Sequence, residues 1–126
     1  MIPDVLEAVE KAKKSKLLVI VEGKKDFLSL KDLGFDIKNI FILKQKKTIQ
    51  EVIEDIISLL KERNQKSCII LTDFDHEGKK LYRNITREVC KNGITINNQL
   101  RLALLKNKVS HIEGLRNYIN HTYDLC

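Results

Sequence analysis

Glu22, Asp73 and Asp75 are the side chains in this sequence on which chemistry could be built. Glu22 opens the stretch Glu22-Gly23-Lys24-Lys25-Asp26, directly after the apolar run Leu17-Leu18-Val19-Ile20-Val21. Asp73 and Asp75 lie in Asp73-Phe74-Asp75-His76-Glu77-Gly78, directly after Cys68-Ile69-Ile70-Leu71-Thr72. Residues two apart leave an extended chain on the same side. Asp73 and Asp75 can therefore point together while Phe74 turns back against the sheet. Two carboxylates about 5 Å apart repel by about 3 kcal/mol at an effective dielectric of 20. A bound cation removes that penalty, and a shared proton is the other escape. Mg²⁺ takes hard oxygen ligands and keeps several waters beside one or two carboxylates. It is the expected cofactor, with Mn²⁺ able to substitute. A Glu22 brought near two aspartates would have a raised pKa and could carry a proton or share the metal. Plainer roles stand beside these. Asp-x-Asp ahead of a helix also makes an Asx turn and an N-cap, and a Glu just past a strand is often a solvated loop residue.

The elements that must position these acids are legible from periodicity. Apolar runs rich in β-branched residues and closed by Gly and charge fit strands covered on both faces. In open parallel sheets, ligands bind outside the carboxyl ends of the strands. Both acidic stretches fall on that edge. So do three lysine pairs: Lys24 and Lys25 after the first strand, Lys46 and Lys47 after the second, Lys79 and Lys80 after the third. That recurrence points to a phosphate-rich ligand, although lysines on a wetted helix face would look the same. Gly23 and Gly78 would let the backbone turn tightly and a phosphate approach closely.

Helices and strands alternate along the chain. Pro3 suits the first turn of a helix that places Val5, Leu6 and Val9 on one side and ends at Lys13-Lys14-Ser15. The strand Leu17 to Val21 follows. A helix from about Lys24 turns Phe27, Leu28 and Leu30 inward and stops at Gly34. Asn39 to Leu43 is a second strand. Thr48 and Glu51 form a capping box for a helix carrying Ile49, Val52, Ile53, Ile56 and Leu60. Cys68 to Thr72 is the third strand. A helix from His76 to Asn92, with Leu81, Ile85 and Val89 on one stripe, ends at Gly93. Ile94 to Ile96 is a short fourth strand. Leu100, Leu102, Leu104 and Leu105 suggest one more helix, and Leu115, Tyr118 and Ile119 a last short one. Strands separated by helices imply βαβ units and a mainly parallel sheet. The expectation is one α/β domain over residues 1–126: an N-terminal helix in 1–15, a core in 16–96 and a helical extension in 97–126.

Composition agrees with a globular domain that meets anions. The chain has 126 residues, 43% hydrophobic and 32% charged, with a formal net charge of +6. The basic balance favours nucleic acid as partner. Aromatic residues are scarce at 6% and Trp is absent, so no stacking platform for bases is evident. Cys68, Cys90 and Cys126 lack the paired spacing of a zinc ribbon, and their odd number argues against a disulfide framework. His111 and His121 look too isolated for zinc. Met1-Ile2-Pro3-Asp4 begins no signal peptide and no apolar run reaches the length of a membrane span, so a cytoplasmic location is expected.

The two acidic stretches in their strand context resemble the Toprim domain. The likeness rests on hydrophobic-strand-Glu22-Gly23-Lys24 and on Leu71-Thr72-Asp73-Phe74-Asp75-His76-Glu77-Gly78, which is similar to the Thr-Asp-x-Asp-x-Glu-Gly run of type IA topoisomerases. It covers about Lys16 to Ile96. The chain as a whole looks most like the small stand-alone Toprim proteins of archaea, related to the ribonuclease that matures 5S ribosomal RNA. Ser110-His111-Ile112-Glu113-Gly114-Leu115 resembles a tail segment of those proteins, which could bring Glu113 toward the site. The resemblance implies a Rossmann-like, four-stranded, mainly parallel sheet with helices on both faces. It implies Mg²⁺ held by Asp73 and Asp75, with Glu22 as proton carrier or third ligand, and phosphodiester cleavage or phosphoryl transfer on nucleic acid, structured RNA in particular. Topoisomerases of this kind attack with a tyrosine from another domain; Tyr82 here reads as a packing residue. A rival expectation is a non-catalytic nucleic-acid-binding subunit of a larger RNA- or DNA-processing complex.

Overall fold

The computed structural model describes residues 4–115, 118 and 119, the Glu113 side chain excepted. Its elements run α1 (Val5–Ser15), β1 (Leu18–Val21), α2 (Lys24–Asp32), β2 (Ile40–Ile42), α3 (Ile49–Glu62), β3 (Ser67–Leu71), α4 (His76–Lys91), β4 (Thr95–Ile96) and α5 (Gln99–Lys106). Short 3-10 turns cover Ile37–Asn39 and Ile112–Gly114. Pro3 lies outside the described residues. Asp4 caps α1, its carboxylate accepting the Glu7 amide at 2.8 Å.

The four strands form one parallel sheet in the order β2-β1-β3-β4. Strand alternation divides the core in two. Val19, Val21, Ile69 and Leu71 face one side, where they meet Val5, Val9, Leu30, Leu100 and Leu104 from α1, α2 and α5. Leu18, Ile20, Cys68 and Ile70 face the other, against Val52, Ile53, Ile56 and Leu60 of α3 and Ile85 and Val89 of α4. Helices on both faces leave the central strands no wet side. That is why every residue of β1 is buried and why the run reads as continuous apolar sequence.

Two apolar residues read as inward-facing are not. Leu28 is 44% exposed on α2 and Ile49 is 37% exposed in the first turn of α3. On α5, Leu100, Ala103 and Leu104 are buried whereas Leu102 and Leu105 face out. Helical spacing marks a stripe, but its edges cannot be set without knowing what the stripe packs on. The capping box does form. Thr48 Oγ1 accepts the Glu51 amide at 3.2 Å, and Glu51 Oε1 accepts the Thr48 amide at 3.1 Å. Thr48→Ala is expected to lower stability by about 1 kcal/mol, measured as a shift in the urea midpoint at constant m.

Strand order sets where a site can be. From β1 the chain winds through α2 to β2 on one side; from β3 it winds through α4 to β4 on the other. The direction of winding reverses between β1 and β3. In open α/β sheets, that reversal opens a crevice beyond the carboxyl ends of the two strands. Glu22 leaves β1 at this point and Asp73 leaves β3.

Candidate metal centre

The β1–β3 register explains how residues 51 apart in sequence meet. Val21 pairs with Leu71, so Glu22 stands level with Thr72 and one step short of Asp73. Glu22 Oε2 accepts the Asp73 backbone amide at 2.6 Å. The chain then bends at Phe74, whose amide donates to the Ser110 carbonyl at 3.1 Å. Asp75 starts α4, with Oδ1 accepting the Gly78 amide at 2.8 Å. The N-cap role and the expected metal role therefore fall on the same residue. One carboxylate oxygen closes the helix, and the other is left for a ligand.

Ligand atoms of Asp73, Asp75 and His111 all lie within 4.8 Å of one another. Asp73 is half-buried; Asp75 and His111 are exposed. The trio differs from the expected Glu22, Asp73 and Asp75. Glu22 sits alongside, bound to the Asp73 backbone and close enough to feel both aspartates. His111, set aside as isolated, is carried in by the segment after α5. The Ile112 amide donates to Asp73 Oδ1 at 3.3 Å. Nothing in sequence spacing marks a residue that arrives through a backbone contact of this kind. The Glu113 side chain and His121 lie outside the described residues.

Charge around the centre favours a cation. Burial is the main force pushing the Glu22 carboxyl above its usual range; the Asp73 amide opposes it, Asp73 and Asp75 add to it, and Lys44 opposes it. Burial likewise pushes Asp73 up. The Ile112 amide and His111 work against that rise, and Asp26 and Asp75 reinforce it. Asp26 is buried and closes the β1–α2 turn by accepting the Gly23 amide at 2.9 Å. Three carboxyl groups, two of them crowded and poorly solvated, fit a hard dication that would relieve both repulsion and desolvation.

Behind the centre lies a residue that sequence reasoning missed. Arg101 of α5 is 7% exposed. Its guanidinium lies between the Phe74 and Tyr82 rings, 4.5 and 4.1 Å from their centroids. It donates to the Thr72 carbonyl at 2.8 Å. Burial pulls its pKa down, while Tyr82, Glu22 and Asp73 hold it up. Tyr82 turns its hydroxyl to Asn98 Oδ1 at 2.9 Å, so it packs as expected. A single Arg amid leucines carries no periodic signal; only its partners reveal it.

The lysines are distributed unevenly. Lys24 and Lys25 are exposed at the start of α2, Lys79 and Lys80 near the start of α4, and Lys46 in the loop after β2. Lys47 is engaged by Asp55 at 2.7 Å, which raises its pKa. Lys44 comes nearest the acids in effect, because its amide donates to the Glu22 carbonyl at 2.9 Å and extends the β1–β2 ladder. It borders a cleft of about 190 Å³ with Glu22, Leu43, Gln45, Lys47, Ile49 and Leu81. Gly23 has an extended φ of −145°, which any residue can adopt. Gly78 is different, since a Cβ there would lie 2.1 Å from the Asp73 carbonyl oxygen.

Among the described residues, no helix is long and apolar enough to cross a membrane. The Toprim domain family matches residues 17–113, which take in Glu22, the Asp73–Gly78 turn, Arg101 and His111. A UPF0292 protein of Methanocaldococcus jannaschii is 32% identical over 120 residues, spanning 91% of this chain and 89% of its own length. Another, from Methanosarcina acetivorans, is 35% identical over 119 residues, spanning 91% of this chain and 76% of its own. A solved structure of a putative protein from Aquifex aeolicus superposes with a TM-score of 0.75 at 24% identity, over 87% of this chain and 96% of that one, a likeness of fold. With two acidic turns meeting at the β1–β3 crevice, a family match over most of its length and close relatives in two archaea, this chain belongs to the Toprim domain family and, within it, groups with the UPF0292 proteins.

Proposed function

We propose that this protein is a divalent-metal-dependent enzyme that cleaves or transfers phosphodiesters in nucleic acid, with structured RNA as its first substrate class. Toprim domains bind divalent metals and serve nucleic-acid processing in general. The observation that carries the finer reading is the Asp73–Asp75 pair at ligand distance, with the Glu22 carboxyl beside it. RNA is put before DNA on the sequence resemblance alone, to small stand-alone Toprim proteins related to the ribonuclease that matures 5S ribosomal RNA.

The geometry supports the roles proposed for these residues. Asp73 and Asp75 would hold the ion, Mg²⁺ or Mn²⁺. When bound, such an ion neutralises phosphate charge and activates water. Burial, with Asp73 and Asp75 adding to it, raises the Glu22 carboxyl above its usual range and suits it to carry a proton. Oε2 is committed to the Asp73 amide, so Oε1 is the atom from which that proton would move. Lys44 tempers the raised pKa and, with Lys24, Lys25, Lys46, Lys47, Lys79 and Lys80, offers cationic contacts to the flanking phosphates. Gly78 is buried against the Asp73 backbone, so it serves the close packing of the α4 start on the aspartate turn and not the approach of a phosphate. Binding through these lysines should weaken steeply as salt rises.

A cleavage screen over structured RNAs and DNAs with Mg²⁺ or Mn²⁺ tests the reading. Glu22→Gln is expected to slow cleavage by about 100-fold or more, the usual weight of a positioned proton carrier, and Asp73→Asn to abolish it. Wild-type rates from a folded Asp73→Asn variant would refute the assignment. Binding of nucleic acid with no turnover under either ion, joined to co-purification with a larger enzyme, would favour the non-catalytic subunit instead.

A further inference from the structure

We infer that His111 is the third protein ligand of the Asp73–Asp75 centre and turns its preference from Mg²⁺ toward a first-row transition dication, with Mn²⁺ as the probe ion. The inference rests on the metal-dependent reading above and deepens it by naming the class of ion.

An imidazole nitrogen of His111 lies within 4.8 Å of a carboxylate oxygen from each aspartate. The segment that carries it is tied to the aspartate turn on either side of the ring. Ser110 accepts the Phe74 amide at 3.1 Å, and Ile112 donates its amide to Asp73 Oδ1 at 3.3 Å. His111 thus hangs between two bonds to the very loop it would serve. Its Nδ1 lies 3.0 Å from Ser110 Oγ. With the proton on Nδ1 and donated to that hydroxyl, Nε2 presents its lone pair. A hydrogen bond to one ring nitrogen is the usual way proteins fix the tautomer and aim of a ligand histidine. The aspartates are arranged to match. Asp73 Oδ1 is held by Ile112 and Asp75 Oδ1 by Gly78, which leaves Oδ2 of each for the ion.

Two carboxylates alone suit Mg²⁺, which takes oxygen and gives up water reluctantly. An imidazole nitrogen is a softer donor and adds affinity for transition ions while adding little for Mg²⁺. The donor set read from the folded chain is therefore mixed, and the mixture discriminates.

The test is Mn²⁺ and Mg²⁺ titration of the wild type, His111→Ala and Asp73→Asn by calorimetry, with electron spin-echo spectroscopy of the bound Mn²⁺. His111 is exposed, so its removal opens no core cavity. The wild type is expected to show imidazole ¹⁴N modulation. His111→Ala should lose that modulation and about tenfold or more in Mn²⁺ affinity, with Mg²⁺ affinity little changed. Asp73→Asn should lose both ions. Mn²⁺ held by His111→Ala at wild-type affinity, or a nitrogen signal that persists in it through His76 or His121, overturns the inference and leaves the metal-dependent reading standing. Failure of the wild type to bind either ion overturns both.

Discussion

Gly78→Ala is expected to destabilise the protein by about 2–3 kcal/mol and to disable cation binding in the same step. Elsewhere in a helix the change would gain roughly 0.5–1 kcal/mol. Here the added methyl would lie 2.1 Å from the Asp73 carbonyl oxygen, 2.7 Å from its carbon and 2.9 Å from its nitrogen. Those atoms are backbone, so no rotamer change relieves the clash. The helix start or the aspartate turn must move. Overpacking costs about 1–3 kcal/mol as a rule, and an immovable obstacle puts this site at the upper end. The same glycine accepts the Thr72 hydroxyl at its carbonyl, 2.7 Å away, and gives its amide to Asp75. Moving it therefore loosens both acids at once. Thermal unfolding should show a midpoint lowered by about 10 °C, and calorimetry no Mn²⁺ binding. Gly23→Ala is the control, since its Cβ would meet only a Lys44 side-chain carbon at 3.7 Å. Equal midpoints for the two variants would refute the argument.

Arg101→Met is expected to cost about 2–4 kcal/mol, from a stranded carbonyl and two lost ring contacts. Thr72 is fully buried, and its carbonyl receives the Arg101 guanidinium at 2.8 Å; the Ile70 carbonyl lies further off at 3.4 Å. Methionine fills the space between Phe74 and Tyr82 and donates nothing. Arg101→Lys should recover only a minor part, because an ammonium cannot present a flat fork between two rings while reaching a strand end. Burial of a charge carries its own penalty, which is why the net cost stays below the sum of the contacts. Denaturant unfolding of the three proteins measures it. A lysine variant as stable as the wild type would mean that charge alone matters at this position.

The scaffold was readable from the chain because it is repetitive. Apolar runs of four or five residues, each followed by an amphipathic stretch, allow few arrangements beyond a parallel sheet between helices. The capping box at Thr48 and the stop at Gly93 were equally plain, being local chemistry. Glu22, Asp73 and Asp75 could be placed on one rim because strand ends of a parallel sheet share an edge. What escaped were the partners that reach the centre by distant contacts away from the strand-end acids. His111 reaches the centre through the Ile112 amide, Arg101 through a strand-end carbonyl, and Lys44 through a ladder that continues past β2. Each looks ordinary in its own neighbourhood. Leu28 and Ile49 erred the opposite way, apolar by type and wet by position.

The stitching of residues 110–112 onto the Asp73–Phe74 turn has a temporal consequence. Synthesis runs from the amino end, so β1 and β3 can pair and bring Glu22 to Asp73 while the tail is still unmade. Asp73 then waits for its last support, which comes only when the Ile112 amide emerges. A nascent or clipped polypeptide ending before Ser110 would own a complete sheet and an unfinished centre. Such a fragment should hold Mn²⁺ more weakly than the full chain.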